Sequence, residues 1–367
     1  MNPQVILPAP DALPLPAAPL LLELLLHLTF FLHLLAMNAM LGGLLLTFYG
    51  RLRGRDASDP WTALADSIAK LSPSLVAATV TLGVAPLLFL QTLYGQFFFT
   101  SSILMAWGWF SVVVVVIFAY YGTYIQSFRG RNLGATQLPL LGVTLLLFLW
   151  VSFMLTNNNT LMLNAPRWAD MYFADAGGRH LNLGDGQLLP RWLHMVLGAL
   201  AISGLMLAWW GKARLSRSDT SGSFMVTTGV AAFTWPTLLN IGIALWFYFA
   251  QPSPVRKLFM GGDIYATLLF AVGFGLGLAL LVMALLARNQ GDRINLWPLS
   301  VLTGITLVDM ILMRDTVRDA WLGDLYVPAE FAVQPQMLNL VIFAVLLVAG
   351  IGVMIWMLRT LYMAWDS

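Results

Sequence analysis

The sequence predicts an all-α membrane protein, a polytopic bundle of about nine transmembrane helices with its N-terminus outside and its C-terminus cytoplasmic. Three observations predict it. Hydrophobic residues make up 59% of the 367-residue chain and charged ones only 10%, whereas a soluble domain carries about 25% charged residues to dress its surface. Uninterrupted apolar runs recur at the length of roughly 20 residues that a helix needs to cross the hydrocarbon core. The basic residues between those runs concentrate in alternate connections, which places these connections on one side of a membrane.

Residues 1–19, MNPQVILPAPDALPLPAAP, read as a proline-rich extracytoplasmic lead-in. The stretch has no basic start, and its prolines break the apolar run, so it does not read as a signal peptide. An extended, polyproline-like conformation suits it. Residues 20–367 read as a single transmembrane helical domain. Spans are expected at 20–49, 71–94, 102–127, 136–156, 190–210, 224–250, 263–287, 295–313 and 338–362. The third contains SVVVVVIFAYY, β-branched but too long and unbroken for a strand of a soluble core. A helix also satisfies every backbone polar group inside lipid. Arg51, Arg53 and Arg55, then Arg129 and Arg131, then Lys212, Arg214 and Arg217, then Arg288 and Arg293 mark the cytoplasmic loops. The other loops hold Arg167, Arg179, Arg191, Arg256, Lys257, Arg314 and Arg318 over longer segments. That bias puts two long connections outside, near 157–189 and 314–337, where docking or lidding is expected.

The chain has no cysteine, which excludes disulfides, iron–sulfur clusters, thiolate zinc sites and covalently attached haem. A net charge of +2, with dispersed basic residues, does not point to nucleic acid. No P-loop, dinucleotide fingerprint or hydrolase triad is present, and GFGLG at 273–277 lies inside a span, where it means close helix packing. The chemistry therefore narrows to four histidines, His27, His33, His180 and His194. Two of them share span one, LLLELLLHLTFFLHLLAMNAMLGG, with Glu23. Ionisable side chains in an apolar helix need a partner or a purpose. His27 and His33 are six residues apart, about 9 Å of rise and about 240° of turn, so they cannot hold one iron from opposite sides. Glu23, one turn from His27, is placed to orient its imidazole. His194 opens span five in RWLHMVLG, at a depth expected to match His27, with His33 deeper. Neutral imidazole in an apolar bundle is a usual axial ligand of haem iron, and His27, His33 and His194 are candidates for it. Each can also be a hydrogen-bonded packing residue. His180, among Gly and Asn in an outer loop, reads as solvated. At the outer end of span eight, Arg314 and Arg318 with Trp321 read either as a clamp for haem propionates or as an interfacial anchor. Asn157, Asn158 and Asn159 read as the closure of span four.

Taken in order, these strings resemble subunit I of the cytochrome bd quinol oxidases, a nine-span family of the same orientation. HLLAMNAMLGG puts His33 where the family has a haem-ligating His, and RWLHMVLG puts His194 where it has a low-spin haem b ligand. NNTLMLNAP at 158–166 is similar to the family's string after span four, and VRDAW keeps Arg318 and Trp321 of its span-eight motif. There are departures. LMAWGWFSVVVVV lacks the family's span-three glutamates, ATLLFAVGFG lacks its span-seven Met ligand, and only Asp309, beside Val308, stands near its span-eight glutamate. QPSPVRKLFMGGD is far shorter than its quinol-binding loop.

The resemblance implies a b-type haem electron-transfer subunit, carrying one or two haems b. It would move electrons between membrane quinone and a periplasmic c-type cytochrome or other redox subunit. His27 and His194 would share one haem and His33 would hold a second. The missing carboxylates imply an oxidoreductase component that does not reduce oxygen. The alternatives are a haem-free anchor for a periplasmic redox complex and a divergent bd-type terminal oxidase subunit. Either way the expected setting is a multi-subunit complex in a bacterial inner (cytoplasmic) membrane, in contact with lipid and quinone.

Overall fold

A computed structural model describes residues 14–364. Among these, nine helices are long and apolar enough to cross a membrane. They are α1 (Pro19–Arg53), α2 (Pro60–Leu104), α3 (Ala106–Arg129), α4 (Gln137–Leu163), α6 (Leu188–Leu215), α7 (Ser221–Phe249), α9 (Ile264–Arg288), α10 (Trp297–Leu322) and α11 (Met337–Ala364). Two short helices, α5 (Trp168–Ala174) and α8 (Ser253–Lys257), lie in connections. The chain is a multi-pass bundle whose helices run alternately up and down. One end, here the basic end, gathers Arg51, Arg129, Lys212, Arg214 and Arg288. The other, the loop end, carries α5, α8 and the segment before α11. The first thirteen residues of the expected lead-in lie outside the described residues.

Local sequence explains the starts. Asp59 caps α2 by accepting from Trp61 N at 2.9 Å, with Pro60 at the first helical position, and Asp263 caps α9 by accepting from Ala266 N at 2.8 Å. Such caps satisfy amide donors that a helix leaves free at its start. Inside the spans, hydroxyls fold back on their own helix, as Thr47 does onto Gly43 O at 2.8 Å, which pairs them without help from water.

Helix α2 is far longer than a membrane crossing, since its 45 residues would extend about 67 Å at helical rise. Backbone φ −118° and ψ 29° at Tyr94 break its course. That break falls where the second span was expected to end. Helices α1–α4 pack as one group and α6, α7, α9 and α10 as another. The groups meet at α1 and α6, where Ser203 Oγ donates to Asn38 O at 2.8 Å and Gly42 lies against the backbone of Ala199. The most extensive contact is between α6 and α7, where Gly204 and Gly229 bring backbones together, as small residues do between membrane helices. Helix α11 stands apart, with none of Met337–Met357 buried. It is held by Phe343 on Phe89, ring centroids 5.1 Å apart. Ahead of α1, Leu15 N donates to Ala332 O at 2.8 Å and Gln334 N to Leu15 O at 2.9 Å, a single bridge that ties the lead-in to the segment before α11.

Candidate functional site

The α1–α6 register fixes how deep each histidine lies. The helices run the same way, with Asn38 beside Ser203, Gly42 beside Ala199, and Leu46 clustered with Leu207. Continued by helical rise, that register sets His33, not His27, level with His194. His27 sits six residues, about 9 Å, nearer the loop end. By this register His27 and His194, expected at one depth, stand at different levels, with Gly42 packed against Ala199 and Ser203 of α6.

Each histidine has its own surroundings. His194 lies at the α6–α7 seam, where Asn240 Nδ2 donates to His194 O at 3.1 Å. Its Nδ1 is sealed from solvent without a hydrogen-bond partner, as is the Asn240 Oδ1. His33 turns toward α2. Its ring lies in the notch left by Gly83, where a Cβ would stand 2.9 Å from Cε1, and its Nδ1 is 3.1 Å from Thr79 O. That face of α1 is opposite the one Gly42 presents to α6, since nine residues are two and a half turns. His27 Nε2 instead faces α10, 3.3 Å from Asp315 Oδ2, with side-chain exposures of 20% and 16%. The contact is close but poorly aligned, since Nε2 has no partner by hydrogen-bond geometry. Asp315, rather than Glu23, is thus the carboxylate against His27. His180 lies in the connection between α5 and α6, with Nε2 2.6 Å from Asp175 O.

The span-eight arginines divide. Helix α10 continues past residue 313 to Leu322, so all its charged residues are helical. Arg318 is buried, paired with Asp315, near Asp319, and lies over the Tyr94 ring at 3.8 Å. Arg314 lies over the Phe30 ring at 4.5 Å and has no ion pair or hydrogen bond among the described residues. Trp321 Nε1 donates to Gln251 Oε1 at 2.9 Å, which links α10 to the end of α7.

Arg191, which the sequence reading counted only as a loop cation, belongs to this site. It is on α6 one turn before His194, and donates to Asn159 Oδ1 at 3.0 Å and Gln187 Oε1 at 2.6 Å. Its guanidinium lies 4.9 Å from the Phe247 ring centre. The Asn run holds it. Asn157 Oδ1 accepts from Asn182 N at 2.7 Å, and Asp185 accepts from Asn182 and Gln187, so the connection between α5 and α6 is sewn to the end of α4. The signal for Arg191 was its spacing of three from His194, and for Asn240 its position as a lone amide in an apolar span. Asp309 is buried on α10 with Oδ2 unpaired, facing Gly273 of α9. No group of three or more His, Cys, Asp or Glu suited to a metal ion exists among the described residues.

No protein-family model matches the chain, and no curated protein does. A structure search matches a chain of the bd oxidase from Geobacillus thermodenitrificans, with a TM-score of 0.73 and 16% identity. The match covers 94% of this chain and 99% of that one. The nine-helix bundle is the fold of a bd oxidase chain.

Proposed function

We propose that the chain is a b-haem electron-transfer subunit of a membrane complex, working between quinone in the bilayer and a redox partner at the loop end. The observation that carries this reading is His194. An imidazole in an apolar seam, its Nδ1 sealed from water and the unpaired Asn240 Oδ1 buried on the adjoining helix, is suited to keep its proton on Nδ1 and present the Nε2 lone pair. That is the tautomer an iron ligand requires, and the residues fit a haem there. They do not fit one haem shared by His27 and His194, whose levels differ by about 9 Å. His33, held through Nδ1 by the Thr79 carbonyl, meets the same tautomer test on the opposite face of α1, which fits a separate haem.

A bound b haem would supply one-electron transfer at a potential tuned by its ligands. This chain's residues do the rest. Asn240 orients the ring, the apolar faces of α6 and α7 exclude water, and the Asn157–Asn182–Gln187 lacing holds the loop end closed above. Basic residues at the opposite end support an outward loop end and a periplasmic, c-type cytochrome partner. The absence of carboxylates in span three supports electron transfer without oxygen reduction.

A second reading, a haem-free anchor of a redox complex, is favoured by one observation. His27 and His33 each already meet a protein group, Asp315 and Thr79. A reduced-minus-oxidised spectrum of the purified protein decides. A b-type α-band that His194→Ala abolishes and His180→Ala leaves intact is expected; no band in the unaltered protein establishes the anchor.

A further inference from the structure

Beyond the iron ligands, the loop end holds an unusual pair of cations. Arg314 offers five N–H donors, and among the described residues none finds an acceptor; its guanidinium lies over the Phe30 ring. Arg191 directs two donors to the neutral oxygens of Asn159 and Gln187, and its Nε is sealed without a partner. Asp185 acts on Arg191 only from a distance, its own oxygens being taken by Asn182 and Gln187. The neighbouring carboxylates Asp315 and Asp319 are turned to Arg318 and His27. The two guanidiniums lie at one level, since the α1–α6 register sets Arg191 level with Phe30, on whose ring Arg314 rests.

Two like charges partly withdrawn from water, with unused donors, are costly unless an anion joins them. The surrounding amides and rings are neutral and fix the guanidiniums in place. Planar forks of this kind recognise carboxylate or phosphate oxygens through paired hydrogen bonds.

We propose that Arg191 and Arg314 form a binding site for an anionic oxygen group, a carboxylate or phosphate, carried by a ligand that enters between α1, α6 and α10. Arg318 is excluded from it, being paired internally. Two sources carry this chemistry: the carboxylates of a haem at His194, which rests on the reading above, and the phosphate of an anionic phospholipid, which does not.

The test uses purified full-length protein, with Arg191→Gln, Arg314→Gln and the charge-retaining Arg314→Lys, each checked for folding by its melting curve. Haem content is read by pyridine haemochrome, and lipid binding by native mass spectrometry with added phosphatidylglycerol against phosphatidylcholine. Loss of a charge-assisted contact should weaken retention roughly tenfold or more, with partial rescue in Arg314→Lys. A fall in haem content with lipid binding unchanged assigns the site to carboxylates. A fall in phosphatidylglycerol binding with haem unchanged, or with no haem in any sample, assigns it to phosphate. The last result would sink the haem reading and keep this one. If both Gln variants match the unaltered protein in both readouts, the proposal is overturned. Should Arg314→Gln not fold, Arg191→Gln and Arg314→Lys decide by the same criteria.

Discussion

Replacing Gly204 with alanine tests whether backbone contact between α6 and α7 builds the seam that holds His194. A Cβ at Gly204 would stand 2.6 Å from Phe233 N and 2.7 Å from both Ala232 C and Gly229 O. Ordinary contact begins at 3.4 Å, so the shortfall is 3.4 − 2.6 = 0.8 Å. All three obstacles are backbone atoms, so no side chain can swing away and the helices must part. Overpacking of this kind costs about 1–3 kcal/mol. Against it stands the gain of about 0.5–1 kcal/mol from removing a helical glycine. Gly275 on α9 is the matched control, because a Cβ there meets nothing within 4 Å, leaving only the gain. Unfolding of both variants in a detergent and dodecyl sulfate titration, followed by tryptophan fluorescence, gives the difference directly. Gly204→Ala should lose stability while Gly275→Ala holds or gains it, the two differing by about 1–3 kcal/mol. Equal stability would show that the α6–α7 contact yields freely and does not position the site.

Other consequences follow from single groups. Asn240→Leu keeps the volume of the seam but removes the amide beside His194 Nδ1; retention of a metal-bound group should fall about tenfold or more, and unchanged haem content would show that the ring is oriented otherwise. Trp321→Phe removes the bond to Gln251 and should cost about 1 kcal/mol in the same titration, whereas no change would mean that α7 and α10 are joined by packing alone. At the loop end, the Gly177 amide, aided by Arg179, holds the Asp175 carboxyl below its ordinary value of 3.8. A depressed folded value gives a contribution that is full above the unfolded value of about 3.9 and lost as pH falls through the folded one. Hydrogen exchange of residues 175–180, corrected for intrinsic rate, should therefore stay constant from neutral pH downward until it rises below about pH 4. In Asp175→Asn that step should be absent.

The spans were legible because lipid demands long apolar runs, and each expected run overlaps one spanning helix of the structure, though the third begins in the last turn of α2 and crosses the break at Met105 into α3. Their ends were less so, for physical reasons. Hydropathy stops α10 at residue 313, but Arg318 pairs with Asp315 along the helix and Arg314 rests on Phe30, so charged residues extend the helix nine positions further. The gap expected between spans two and three is helix, because the chain bends at Tyr94 without ending α2. His194 could be singled out as a polar residue with no local partner. Asn240 stood out as a lone amide, but its contact with His194 was not legible, since that depends on how α6 turns against α7. The choice between His27 and His33 as the residue level with His194 rested on a register that only the Gly42 contact supplies. Arg314 and Arg318 look alike in sequence, and what separates them is whether Asp315 lies along the helix or across it.

The bridge between Leu15 and the residues around Val333 has a consequence in time. A ribosome delivers residue 15 long before residue 333, so whatever the early segment does first, it cannot take its final place until nearly the whole chain has emerged. Helix α11, poorly gripped by its neighbours, arrives last and is fastened by one of the first pieces made. Completion of this protein is thus a closing of old chain upon new, and a nascent chain halted before residue 332 should expose the early segment to a protease that the finished one resists.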